Sequence, residues 1–257
     1  MIHLKSDSEI DAMKKAGSLA GEILDMIAPF VIPGVSTQEL NDIIHTYTIE
    51  RGATSAPLGY MGFPKSCCIS INEVVCHGIP STKVKLKDGD IVNIDVTPII
   101  DKWHGDTSRM YLVGNVSPEA QRLVRITKEC LDLGIAAVKP GARIGDIGAA
   151  IQTHAEANGY SIVRDFVGHG IGTTFHEELH IPHYGRAGFG TRLEPGMTFT
   201  IEPMLNIGKL EVKTLKDDWT AVTVDGSWSA QFEHTIAIRS DWTVEILTLP
   251  PQKDQEV

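Results

Sequence analysis

Laid on itself with an offset of 107 residues, the chain matches itself without a gap between Leu24 and Asp95. Leu24 falls on Leu131, Pro33 on Pro140, Gly34 on Gly141, Leu40 on Ile147, Ile44 on Ile151 and Gly52 on Gly159. Further on, Leu86–Asp95 (LKDGDIVNID) falls on Leu193–Glu202 (LEPGMTFTIE), with the leucine, the glycine, an isoleucine and the final acid coinciding. So many matches in one frame point to an internal duplication. Two like halves then send Asp95 and Glu202 from equivalent strands towards a shared axis.

Each half opens with a helix pair. Ser6-x-x-Glu9 and Ser36-x-x-Glu39 read as capping boxes, in which the serine and the glutamate satisfy each other's free backbone N–H groups. Ile10, Met13, Leu19, Leu24 and Ile27 recur at helical spacing until Pro33-Gly34, and Leu40, Ile43, Ile44 and Tyr47 until Gly52. The second pair opens at Ser117-Pro118, stops at Pro140-Gly141, and resumes from Ile144 to Gly159. Between the pairs lie strand-like runs: CCISINEVV, DIVNIDVT, TSRMYLV, YSIVRDF, MTFTIEPML, WSAQFEHTIAI and WTVEIL. The fold class is α+β: one domain over 1–249, with halves about 1–110 and 115–249, a central antiparallel sheet and helix pairs on one face. The tail 250–257, PPQKDQEV, is expected to be loose.

Acids are depleted in strands, yet three of the best strands carry one: Asp95 in VNIDVT, Glu202 in TFTIEPM and Glu233 in AQFEHTIAI. A fourth, Asp106, lies in WHGDTSRMYLV. A hairpin turning near Ile100-Asp101 sets Asp95 opposite Asp106, with Cβ atoms about 5 Å apart, where two like charges repel. A bridging dication reverses that sign, so the four acids point to a metal centre rather than to isolated strand-edge charges. The net charge of -10 argues against nucleic acid as the main ligand. No apolar run reaches the roughly 20 residues that span a bilayer, and no signal peptide or disulfide framework is evident. A cytoplasmic location with reduced thiols is expected.

Among ten histidines, His169 lies between glycines in FVGHGIG, where a side chain can project into a cleft, and His77 ends a strand in VVCHGIP. His176 to His180 spell HEELH, the pattern of helical zinc endopeptidases. The segment before it, GHGIGTTF, and Pro182 just after it leave under two helical turns, so the match is fortuitous. His180 and His183 are expected at a rim; His3, His45, His104, His154 and His234 have surface or packing roles.

Together CHGIP, NIDVT, HGDTS, GHGIG, FHEE, TIEPM and QFEHT, with LGYMGFPKS at Leu58–Ser66, resemble the bacterial type I methionine aminopeptidases over nearly the whole chain. The resemblance implies the duplicated "pita-bread" fold. It implies removal of the initiator methionine before a small second residue, by attack of a metal-bridging hydroxide on the first peptide bond. Asp95, Asp106, His169, Glu202 and Glu233 match the family's metal ligands, for two divalent ions per chain (Co2+, Mn2+, Fe2+ or Zn2+). His77 and His176 match its catalytic histidines, and Glu202 is also placed to relay a proton. Tyr60, Phe63, Cys68, Phe175, Trp219 and Gln231, beside His77 and His176, match the methionine pocket. The implied partners are the N-terminal Met of nascent polypeptides and peptides; ribosome docking stays open, neither nucleic acid nor membrane is expected as a partner, and the chain is expected to be a monomer. Phe63 stands where a tyrosine is common, and Pro57 holds a rim position that is often cysteine. A prolidase would carry a further N-terminal domain, and an inactive pita-bread module would lack ligands that are all present here.

Overall fold

In the computed structural model, which describes residues 2–251, four helices pack as two pairs: α1 (Asp7–Ile27) with α2 (Thr37–Glu50), and α3 (Pro118–Ala136) with α4 (Ile144–Ala157). Both capping boxes close, Ser6 with Glu9 and Ser36 with Glu39. The run into Pro33-Gly34 is not one helix: α1 ends at Ile27 and a single 3-10 turn, Ala28–Phe30, follows.

The spacing of 107 recurs in the backbone. It separates α2 from α4 residue for residue, and it separates the isolated bridges Ser36↔Lys85 and Arg143↔Arg192. Glycines hold left-handed φ at equivalent places: 93° and 83° at Gly34 and Gly141, and 97° and 88° at Gly89 and Gly196. A side chain there would strain the turn, which is why these glycines persist in both halves. The α1–α2 pair buries Leu19, Ile23, Leu24, Ile27, Leu40 and Ile44 against Ile69, Val92, Ile94 and Val96. The α3–α4 pair buries Leu123, Leu131, Ile147 and Ile151 against Phe199, Ile201, Ile236 and Ile238. Each such side chain contributes about 1.5–3 kcal/mol on leaving water.

Among the described residues all strand pairings are antiparallel, and they form five small sheets rather than one. The first half centres on Cys68–Ile71, Ile91–Val96 and Thr107–Leu112. The second runs through Glu177–Ile181, Gly168–Gly170, Thr198–Ile201, His234–Ile238 and Val244–Ile246. The breaks have a cause. Pro203 has no N–H to give, so the strand Thr198–Ile201 stops before it and resumes as Met204–Asn206. Its partner breaks at the same level, between Ser229–Gln231 and His234–Ile238. Ile201 faces His234 before the gap and Met204 faces Gln231 after it, so the unbroken register sets Glu202 opposite Glu233.

The expected opposition of Asp95 and Asp106 is corrected. Asp101 and Lys102 both take positive φ, 47° and 71°, and form the two-residue turn between Ile100 and Trp103. That turn lies one residue beyond the expected one, so Asp95 faces Ser108 and Asp106 falls opposite Thr97. The two acids are diagonal neighbours. HEELH is not helical: Glu177–Ile181 is a strand, one that the periodicity does not reveal.

The segment Leu247–Pro250 lies along α1. A Cβ at Gly17 would fall 2.4 Å from the Leu247 carbonyl oxygen, and one at Gly21 would fall 2.6 Å from that of Thr248. Residues 252–257 of the tail expected to be loose lie outside the described residues. No helix among the described residues is long and apolar enough to cross a membrane.

Candidate metal centre and cavity

All thirteen residues singled out in the sequence line one cavity of about 410 Å³. Its floor is acidic. Asp95 comes from the strand Ile91–Val96, whereas Asp106, Glu202 and Glu233 sit at strand breaks, not within strands. Ligand atoms of Asp106, His169 and Glu233 lie within 4.8 Å of one another. His169 Nε2 is 3.4 Å from Asp106 Oδ2 and 3.8 Å from Glu202 Oε1, while its Nδ1 meets the Gly170 carbonyl oxygen at 2.9 Å. The backbone carbonyl can only accept, so Nδ1 carries a proton and Nε2 faces the carboxylates.

Threonines hold the acids. Thr97 Oγ1 donates to Asp106 Oδ1 at 2.7 Å, and Thr200 Oγ1 donates to Glu202 Oε1 at 2.7 Å while accepting the His169 N–H. Gln231 Nε2 reaches Glu202 Oε2 at 3.2 Å. Burial, then the neighbouring carboxylates, pushes Asp95 and Glu233 well above the usual carboxylate range; burial likewise raises Glu202, to about 7. At His169, burial alone would lower the pKa, but Asp106 and Glu202 outweigh it and the net shift is upward.

The walls are aromatic. Tyr60 meets Phe175 edge-on at 5.1 Å, and its hydroxyl is 2.9 Å from His176 Nδ1. His176 meets solvent at its outer edge, yet its ring packs 4.2 Å from those of both Phe175 and His169. That desolvation, followed by the charge at His169, depresses its pKa to about 4. His77 holds a left-handed backbone, φ 56°, and its ring meets Phe166 at 5.3 Å and Trp219 at 6.1 Å. Burial lowers its pKa too. Trp219 in turn meets the buried Phe63 at 5.2 Å.

The match to metallopeptidase family M24 covers residues 11–240. The chain is 62% identical over 248 residues to methionine aminopeptidase A of Synechocystis sp., a match covering 96% of this chain and 98% of that protein. It is 55% identical over 257 residues to the methionine aminopeptidase of Escherichia coli K12, covering 100% and 96%. The crystal structure of the Rickettsia prowazekii methionine aminopeptidase superposes with a TM-score of 0.95 at 52% identity, covering 97% of this chain and 100% of that one. The chain belongs to metallopeptidase family M24.

Divalent-metal binding follows from membership in M24, and the residues present fit it. Four carboxylates crowd one floor with a single imidazole, Glu202 faces Glu233, and Asp95 Oδ1 is buried with no hydrogen-bond partner. Such a set repels itself until a cation is added. Other contributors in this M24 cavity escape the sequence reading. Thr200 lies two residues before Glu202, on the same strand face, and Phe166 walls His77. His183, expected at the rim, is buried: its Nε2 accepts the Glu202 N–H at 3.0 Å, and burial depresses its pKa to about 3. His180 does line the cavity. His104 packs face to face on Phe175, 5.7 Å away.

Proposed function

We infer that this chain is a methionine aminopeptidase, hydrolysing the bond after an N-terminal methionine that precedes a small residue. The observation that carries the reading is the aromatic cavity set directly on a floor of mutually repelling carboxylates. Asp95, Asp106, His169, Glu202 and Glu233 would hold two divalent ions. Oxygen-rich donors with one imidazole suit Mn2+, Fe2+, Co2+ or Zn2+, which supply a Lewis acid for the amine and carbonyl and an activated water.

The chain's own groups then divide the work. Glu202, restrained by Thr200 and Gln231, accepts the proton of the attacking water and passes it to the departing amine. His176 is neutral near pH 7; with Nδ1 accepting a hydrogen bond from the Tyr60 hydroxyl, its single ring proton sits on Nε2 as a donor to the developing oxyanion. His77 is the second donor, held towards the scissile amide by Phe166 and Trp219. Tyr60, Phe63, Cys68, Phe175, Trp219 and Gln231 enclose the methionine side chain, whose flexible thioether suits aromatic and sulfur contacts. The substrates are the N-termini of nascent polypeptides.

Turnover of Met-Ala-Ser, set against an Xaa-Pro peptide, tests the reading. His176→Ala with its metal retained loses about 10²–10³-fold in kcat, the cost of one oxyanion donor, and Asp106→Asn loses metal as well as activity. Full activity in either variant overturns the assignment.

A further inference from the structure

We propose that Lys5 is a positioning residue: its ion pair with Glu177 fixes the adjacent His176 in the cavity. Lys5 is the one buried lysine among the described residues, 4% exposed. A buried ammonium survives only where it is paired and hydrogen-bonded. Its Nζ meets the Glu177 carboxylate and, at 3.1 Å, the His3 carbonyl oxygen. The backbone of Lys5 is fastened too, its N–H donating to the Gly196 carbonyl at 2.7 Å. The lysine is therefore a fixed post, and Glu177 is attached to it across 172 positions of sequence.

The need for such a post lies in the strand that follows His176. Glu177 faces Gly170 and His180 faces His169, so two residues of the strand Glu177–Ile181 bulge out between them. The ladder is irregular just beyond His176, and a bulge of this kind re-aims side chains. The preceding loop is held by few backbone bonds, Ile171 N–H to Thr198 and Gly172 N–H to Thr174 among them. Room for the lysine is made by Gly172, where a Cβ would lie 2.4 Å from Glu177 Oε1 and 2.8 Å from Lys5 Cε. Glu177 itself lines the cavity beside His176. A side-chain tether thus stands in for the missing ladder bonds next to a group that must be held closely to act.

The proposal rests on His176 acting as a donor, which wild-type turnover and His176→Ala test separately. Lys5→Met, Lys5→Arg and, as a control, Lys14→Met at the solvent-exposed Lys14–Glu245 pair are compared on Met-Ala-Ser with Mn2+ present. Lys5→Met is expected to lose at least tenfold in kcat with KM within threefold, Lys5→Arg to recover most of that loss, and Lys14→Met to match wild type. Hydrogen exchange of Lys5→Met should accelerate selectively across residues 171–178. If Lys5→Met does not fold, Glu177→Gln, which keeps the side chain's shape but removes its charge from the ion pair, gives the same reading. An active wild type with kcat unchanged in these variants, or exchange raised evenly over the chain, overturns the tether and leaves the reading of His176 untouched.

Discussion

Glu202 faces Glu233 across the one gap in a ladder whose register is otherwise unbroken from Thr198 to Asn206. Two carboxylates so placed cost the metal-free protein stability and attract a dication, so one change should move two quantities in opposite directions. Glu233→Gln is expected to raise the melting temperature of the EDTA-treated protein, by about 1 kcal/mol in stability. The same change should largely abolish the rise that Mn2+ gives the wild type. Calorimetric melts with and without metal check both signs; a variant less stable without metal would contradict the repulsion.

The same acids link metal binding to pH. Their folded pKa values are raised, Glu202 to about 7, so between an unfolded value near 4.5 and about 7 the metal-free fold binds the extra proton. For a raised acid, stability from that proton is present at low pH and is lost as pH climbs through the folded value. Metal binding must expel the proton, so affinity should rise from pH 6 to pH 8. Isothermal titration in two buffers of different ionisation enthalpy reads the release directly, and equal heats in both would refute it.

The Tyr60 hydroxyl, 2.9 Å from His176 Nδ1, sets which ring nitrogen keeps the proton. Tyr60→Phe retains the aromatic wall and removes the bond. Losing one such hydrogen bond, worth about 1–1.5 kcal/mol, lowers kcat by about fivefold to tenfold with KM little changed. A KM effect alone would place Tyr60 with the pocket and not with the donor.

Gly148 of α4 abuts the loop that carries His183. A Cβ there would lie 2.3 Å from the Tyr184 carbonyl oxygen. Gly148→Ala must push backbone aside and is expected to cost about 2–3 kcal/mol despite alanine's better helix propensity. Urea denaturation measures it. The equivalent position 107 residues earlier is Asn41, whose Oδ1 accepts the Ser66 N–H at 3.0 Å, so the halves solve the same helix–loop contact differently.

Much of this architecture is legible in the residues. The capping boxes are local signals that the structure carries as read, and the glycines that match across the repeat, Gly34 with Gly141 and Gly89 with Gly196, prove to hold left-handed turns. The acids at 95, 202 and 233 stand out because a carboxylate conflicts with its strand surroundings. What could not be read depends on distant partners. The hairpin register turns on two non-glycine residues, Asp101 and Lys102, at positive φ, for which the composition gives no cue. The strand Gly168–Gly170 has no β-former and Glu177–Ile181 has only Ile181, and the ladder between them is bulged. His183 has no local mark of burial; only the fold brings the Glu202 amide to it.

Gly17 and Gly21 form a groove on α1 that Leu247–Pro250 fills along its length, with Gly105 set against Gly17. Synthesis runs from the N-terminal side, so α1 emerges long before Leu247–Pro250 and waits for them before its apolar flank is sealed. During that wait a growing chain keeps an adhesive seam open, and a ribosome stalled short of Leu247 would release a body with that seam unclosed.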